Sequence, residues 1–561
     1  MEMKRKAVLS FIGFLLLLLV PCAGASMGGD SNAVDRPTHY TNPVLPGFFP
    51  DPSLVRVGED YYLVNSTFQY FPAIIISHSR DLVNWRQIGH VFSRSEDLDL
   101  REFFDGCGIW APDISYHDGE FYVFYCLVQL KKDRSVNVRG NYMVKSRSIM
   151  GPWSKPVQLT TEGNDPSHFV DDDGTHYMCY AGGIPKGSAT KIVKLNADCT
   201  KVVEGPFWID YGGEKRAPEG PHLFKRGGYY YHTMAASGGI YDGHHQLIAR
   251  SRNILGPYEF GPDNPFIAQQ DRSSPVQHQG HAKLVETQNG EWWTLYLLQR
   301  RIKGFSQLGR ETGLDRVDWN EAGWPVLNGG AGPSVTNRVP KLPFTPQPAV
   351  LSDAFEAPAL DVKWQFVRNP DYSRLSLTER PGMLRLRTGD FDLASLQCRN
   401  VVLQREVSQE YQVTVKMDFD PGPGEQAGLV CYYDTKSFIS LGLVRQDGLR
   451  LRLEECRKGV RTLVAELSGI SSTTLRLRVT VDGLSRTFHV ADAQSNLREV
   501  GTVSDASFLS DQGTPQWGFM GTMVGVFAVG NGAGRMTPAD FDDFVHVTRA
   551  QGVTRSQGSA H

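Results

Sequence analysis

The sequence predicts an all-β protein, a five-bladed β-propeller followed by a β-sandwich, and three observations carry that prediction. A unit of polar residue, short apolar strand, Gly-containing turn and aromatic strand starts at Asp51, Asp113, Asp165, Glu219 and His281. Its spacing of roughly 50 to 60 residues lies in the range of propellers and solenoids. A second echo, Ser79-Arg80-Asp81-Leu82-Val83-Asn84-Trp85, returns at Ser146–Trp153 and Ser251–Tyr258, where the later strands of a blade belong. From about residue 350 the texture changes to alternating strands such as Leu384-Arg385-Leu386-Arg387 and Leu475-Arg476-Leu477-Arg478-Val479. One apolar and one charged face per strand is the pattern of an antiparallel sheet packed on one side.

Taken in order, the chain opens with Lys4, Arg5 and Lys6, an apolar run from Ala7 to Val20, and Ala23-Gly24-Ala25. This is the pattern of a cleaved secretory signal, so residues 1–25 predict export to the periplasm or the extracellular space. Cys22 after the apolar run keeps a lipoprotein anchor open as an alternative. Residues 26–41 are polar and expected to be disordered. The propeller is expected over 42–325, and a Pro- and Gly-rich linker, unsuited to a sheet ladder, over 326–349. The sandwich follows at 350–549, with a disordered tail at 550–561. No transmembrane span is expected. A net charge of -3 over 561 residues lacks the basic excess of a nucleic-acid binder. The seven cysteines after Cys22 lack zinc-finger spacing and are odd in number, which favours buried thiols over a complete disulfide framework.

The chemistry concentrates in Pro50-Asp51-Pro52, Asp165-Pro166 and Pro218-Glu219-Gly220-Pro221. Proline fixes its own φ and restricts its predecessor, so these carboxylates sit on stiff backbone. Taken singly, each could equally cap a turn. The first strands of propeller blades meet at the axis, however, so three acids and a His in equivalent positions predict one acidic funnel. Paired carboxylates are the equipment of glycosidic cleavage, one donating a proton to the leaving oxygen and the other activating water or attacking the sugar. Crowding raises the pKa of some of them. Trp110, Phe68, Tyr70 and Phe71 are candidate sugar-stacking faces, with blade core as the competing role.

Asn42-Pro43-Val44-Leu45-Pro46-Gly47-Phe48-Phe49-Pro50-Asp51-Pro52, Trp110-Ala111-Pro112-Asp113, Glu219-Gly220-Pro221-His222 and Gly309-Arg310-Glu311-Thr312 resemble glycoside hydrolase family 43. The likeness is to its β-xylosidases with an appended concanavalin-like sandwich. Gly518-Phe519-Met520-Gly521-Thr522 and Ala539-Asp540-Phe541-Asp542-Asp543-Phe544 resemble that family's ending.

The resemblance implies an inverting, exo-acting enzyme in which Asp51 is the general base, Glu219 the general acid and Asp165 the group that orients and tunes the acid. It implies site contacts from Trp110, His281, Arg310 and Phe519, the last on a sandwich loop reaching the pocket mouth, and Phe68 joins them as a substrate-binding candidate on its aromatic face. No cofactor is implied for the chemistry, but a structural Ca2+ near His281 is. The expected substrates are xylan or arabinoxylan oligosaccharides, cleaved by β-1,4-xylosidase or, alternatively, α-L-arabinofuranosidase activity. Two departures from the family pattern, Asn164 and Ala73, are expected to reshape the sugar pocket. A non-catalytic carbohydrate-binding propeller and a fructan-cleaving relative are the competing classes. The oligomeric state is left open.

Overall fold

The computed structural model describes residues 37–549 except 132–135, 185–186, 213–218, 238–242, 493–495, 515–517, 531 and 533. The expected signal segment with Cys22, residues 26–36 and the tail from 550 lie outside the described residues. Among the described residues the only helical elements are two 3-10 turns, Asn328–Gly330 and Tyr372–Arg374. Among these residues no helix is long and apolar enough to cross a membrane.

Each repeat forms one antiparallel blade. Blade 1 is Ser53–Val57, Asp60–Asn65, Ala73–Ser79 and Arg86–Phe92, paired in that order. Blades 3, 4 and 5 repeat the order, starting at Asn164–Val170, Glu219–Arg226 and Val276–Glu286. Blade 2 starts at Asp113–His117 and carries an extra short strand, Gly108–Ile109, beside Glu120–Leu130. The serine of the second echo ends the third strand of its blade. In each copy its Oγ accepts the backbone N–H two residues on: Asp81 to Ser79, Ser148 to Ser146 and Asn253 to Ser251. This Ser turn explains why the echo recurs.

Tyr, Trp, Ile, Leu and Val from facing sheets fill five apolar seams, one between each neighbouring pair of blades. A seam between blades 1 and 5, joining Leu63 and Ile75 to Trp293 and Leu314, closes the ring. His39–Thr41 pairs with Thr336–Arg338, and Leu45 bridges Thr312 of blade 5. Two expectations are corrected here. His39–Thr41, expected within a disordered segment, is a strand, and the 326–349 stretch does keep ladders, at Pro325–Leu327 and Thr336–Arg338. Its prolines lie outside these hydrogen-bonded positions, apart from Pro325 at a strand's first residue, where a missing N–H is tolerated.

The sandwich consists of an eight-stranded and a seven-stranded sheet. Its Arg-rich strands turn apolar residues inward and arginines outward, where Arg385 pairs with Asp540 and Arg452 with Glu466. The eight-stranded sheet ends on Tyr70–Phe71 of the propeller, through Phe366 opposite Phe71 and Val367 opposite Tyr70. Tyr70 and Phe71 are fully buried, which makes them interface and core residues and not sugar platforms. Beside this seam the buried Arg368 donates from Nη2 to Asp105 Oδ1 at 2.8 Å and from Nε to the Phe103 carbonyl at 2.6 Å. Asp105 also accepts from the backbone N–H of Thr435 at 3.2 Å. Propeller and sandwich form one compact unit.

Breaking a buried pair strands the partner's charge and costs about 3–5 kcal/mol. Arg368→Ala is therefore expected to lower the thermal midpoint while unfolding stays a single transition. Calorimetry checks this, and a wild-type midpoint or two separate transitions would show that the seam is not shared.

Candidate active site

At the axis, the residues that start the blades do not all stand in the expected register. Asp51, Asp165 and His281 share a left-handed backbone, with φ of 50°, 53° and 50°. In blade 4 that position belongs to Gly220, at 55°, so Glu219 stands one residue earlier. Glycine is required there twice over, because a Cβ would also lie 2.8 Å from the His281 ring. In blade 2 the corresponding residue is Ala111, and Asp113 lies one layer deeper. It bonds there to Ser53 Oγ at 2.7 Å and to Lys283 Nζ at 2.5 Å, and it accepts from the His168 N–H at 2.8 Å. The inference that five polar residues occupy equivalent places is corrected accordingly: Asp113 is structural.

One pocket of about 360 Å³, including its open mouth, is lined by Asp51, Phe68, Trp110, Ala111, Asn164, Asp165, Glu219, His281, Arg310 and Phe519. The three acids and the five substrate contacts expected from the sequence are all among them. Two larger surface clefts, beside Trp324 and beside Trp364, bring no two carboxylates together. Chemistry and not size marks the smaller pocket.

Asp51 is nearly buried and ion-paired with Arg310, Nη1 to Oδ1 at 2.8 Å, and its Oδ2 accepts from Ser66 Oγ at 2.6 Å. Asp165 Oδ2 accepts the Gly220 N–H at 3.0 Å, a bond that ties it to the backbone next to Glu219. Burial raises the pKa of Asp165, partly offset by His281. Glu219 is more open, its side chain 37% exposed toward the pocket. Desolvation first, then repulsion from Asp165 and Asp51, push its pKa up to about 8. The three acids are thus differentiated, with a protonated Glu219 at neutral pH and an Arg-paired Asp51.

The walls are aromatic. Phe519, from the sandwich, stacks on Phe68 with ring centres 6.2 Å apart and meets Trp110 edge-on at 5.4 Å. Arg310 Nη2 donates to the Phe519 carbonyl at 3.1 Å. The loops meet closely: Gly309 has φ of 72°, and a Cβ there would lie 2.5 Å from the Met520 carbonyl. Asn164 lines the pocket as expected, whereas Ala73 lies in the seam between blades 1 and 2 and cannot shape the sugar site. The sequence reading missed Ser66 and His244, whose Nε2 is 3.8 Å from Glu219 Oε1. Neither falls in a repeat motif, so nothing in the spacing pointed to them.

Near His281 the donor set suits a hydrated ion and not a protein cage. Its Nδ1 is 3.7 Å from Asp51 Oδ1, and His222, with ring centres 6.2 Å apart, leaves Nε2 without a protein partner. Among the described residues no group of three metal-ligating atoms forms there.

Comparison with known proteins follows the same division. Residues 40–325 match the model of glycosyl hydrolases family 43, and 352–546 that of the beta xylosidase C-terminal concanavalin A-like domain. A xylan 1,3-beta-xylosidase of Vibrio sp. is 35% identical over 539 residues, covering 91% of this chain and 99% of the relative. A non-reducing end alpha-L-arabinofuranosidase of Bacteroides ovatus is 35% identical, covering 90% and 94%. The crystal structure of the GH43 protein BlXynB from Bacillus licheniformis superposes with a TM-score of 0.85 at 46% identity, covering 91% and 100%.

The charge of Asp165 helps hold the Glu219 proton, so removing it should release that proton at lower pH. Asp165→Asn is expected to move the alkaline limb of the pH–rate profile toward acid as well as lowering the rate. A rate loss with an unmoved limb would show that Asp165 only positions Glu219.

Proposed function

The chain belongs to glycosyl hydrolases family 43, and on that premise we propose that it removes terminal D-xylose from xylo-oligosaccharides by a single inverting displacement. The observation that carries this is the unequal pair of acids in one pocket: Glu219, raised to about 8, and Asp51, held by Arg310. Glu219 donates its proton to the glycosidic oxygen. Asp51 takes a proton from the water that attacks the anomeric carbon on the opposite face, and both groups then exchange protons with solvent to reset. Asp165 positions Glu219 through the Gly220 N–H. Arg310 keeps Nε without a protein partner, a donor suited to a sugar hydroxyl.

Phe519 supports the exo character. It forms a wall with Phe68 and Trp110 around a pocket at the small end of ligand sites, room for a chain end and not for a chain passing through. A Ca2+ ion, which takes about six to eight oxygen ligands including waters, would lie near His281 with waters between them and would add positive charge to the site. The leader-like residues 1–25 support an exported enzyme.

A second reading, α-L-arabinofuranosidase, is favoured by the B. ovatus relative of that name. Parallel assays on nitrophenyl β-xyloside and α-L-arabinofuranoside separate the two: the higher kcat/KM on the xyloside is expected, and the reverse order would overturn the xylosidase reading. Asp51→Asn and Glu219→Gln keep side-chain size and remove only the titratable function. Both are expected to lose at least a thousandfold in kcat, on the order of what catalytic acids and bases contribute, with unchanged thermal melting; activity within tenfold of wild type would refute the assignment. Phe519→Ala is expected to raise KM for disaccharides and admit longer chains, read out by product chromatography.

A further inference from the structure

Outside the pocket, between blades 2 and 3, two imidazoles and a thiol converge. His168 Nε2 lies 3.0 Å from His176 Nδ1, and Cys199 Sγ lies 3.2 Å from His176 Nδ1 and 3.7 Å from His168 Nε2. All three residues are buried, and their ligand atoms form the one such group found among the described residues. The two rings are only 9° from parallel with centres 5.2 Å apart, so the facing nitrogens, and not the ring faces, make the contact.

We propose that this seam is a metal site, with His168, His176 and Cys199 as ligands to a zinc-class cation. Atoms bound tetrahedrally at 2.0–2.1 Å (nitrogen) and 2.3 Å (sulfur) stand about 3.3–3.6 Å from one another. The observed triangle of 3.0, 3.2 and 3.7 Å needs adjustments of only a few tenths of an ångström to reach that. The outer contacts are those of a ligating histidine. Ser115 Oγ lies 2.6 Å from His168 Nδ1, and a proton held on that nitrogen leaves Nε2 as a free lone pair. Phe124 stacks on the His168 ring at 4.7 Å, and Asp113 fixes the His168 backbone N–H, so the imidazole is held from two sides.

Burial favours the neutral form of both imidazoles, the form that binds metal, with His168 lowered to about 3. It also pushes the Cys199 thiol up to about 12, so the thiol stays protonated until a cation replaces its proton. Binding exchanges that S–H proton, released to solvent, for an S–metal bond; no redox change is involved. With no fourth His, Cys or carboxylate atom in the group, a water takes the remaining position. The site would pin three places: strand Asn164–Val170, which carries Asp165; strand His176–Ile184; and the turn before Val202–Trp208. Its role is to staple the blade that holds Asp165, apart from the sugar pocket.

The full chain, freed of metal with a chelator and titrated with Co2+ as a coloured stand-in for Zn2+, tests this. One equivalent is expected to produce a near-ultraviolet thiolate-to-cobalt absorption, which Zn2+ then abolishes. Zn2+ alone should raise the thermal midpoint by several degrees. Cys199→Ser should lose the absorption, and His176→Gln should weaken Co2+ binding at least tenfold. A cation bound near His281 has no thiolate and gives no such band, so the two sites are distinguishable. Absence of the band in the wild-type chain, or its persistence in Cys199→Ser, would overturn the proposal and leave a hydrogen-bonded cluster. The wild-type spectrum decides even if a variant fails to fold.

Discussion

The carboxylate of Asp113 is the point on which the propeller depends. It accepts from Ser53 of blade 1, the His168 backbone of blade 3 and Lys283 of blade 5, and it faces His222 of blade 4 at 3.5 Å. One buried acid on blade 2 thus touches all four other blades. Lys283 also donates to the Ile114 carbonyl, so the pair is satisfied on both sides, the condition under which a buried charge is tolerated. Lys283, the nearest opposite charge, together with His222 holds the Asp113 pKa down against its burial. Beside this layer stand Asp51, Asp165 and His281, each on left-handed backbone.

That packing also sets the acid–base division. Carboxylates gathered at one axis repel, and the structure relieves this unevenly. Arg310 pairs with Asp51, whereas Glu219 keeps a proton, because its desolvation and then the repulsion of Asp165 and Asp51 outweigh the weaker pull of Arg310. Arg310 is fixed in turn by the sandwich, through the Phe519 carbonyl. The second domain is therefore part of the active-site wall. The sheet shared through Tyr70–Phe71 and the buried Arg368–Asp105 pair make its position as firm as a core contact.

The sequence by itself determined the all-β class, the five blades, the sandwich and the acids that line the pocket, while Arg310 and Phe519 entered through the family resemblance. These were legible because propeller repeats are local: turn, strand and polar start are written within one blade, and a proline beside each acid marks stiff backbone. What only the tertiary structure decided lies between blades, between domains and between distant turns and strands of one blade. The one-residue offset of Glu219 against Gly220, and the descent of Asp113 to the structural layer, depend on which atom reaches the axis, which similar-looking repeats do not reveal. Arg310 meets Asp51 across 259 residues and Phe519 across 209. Cys199 joins His168 and His176 only because a turn of blade 3 folds back on its own first strands. Such contacts are set by how twisted sheets pack against one another, a property of the assembled ring that no stretch of the chain carries alone.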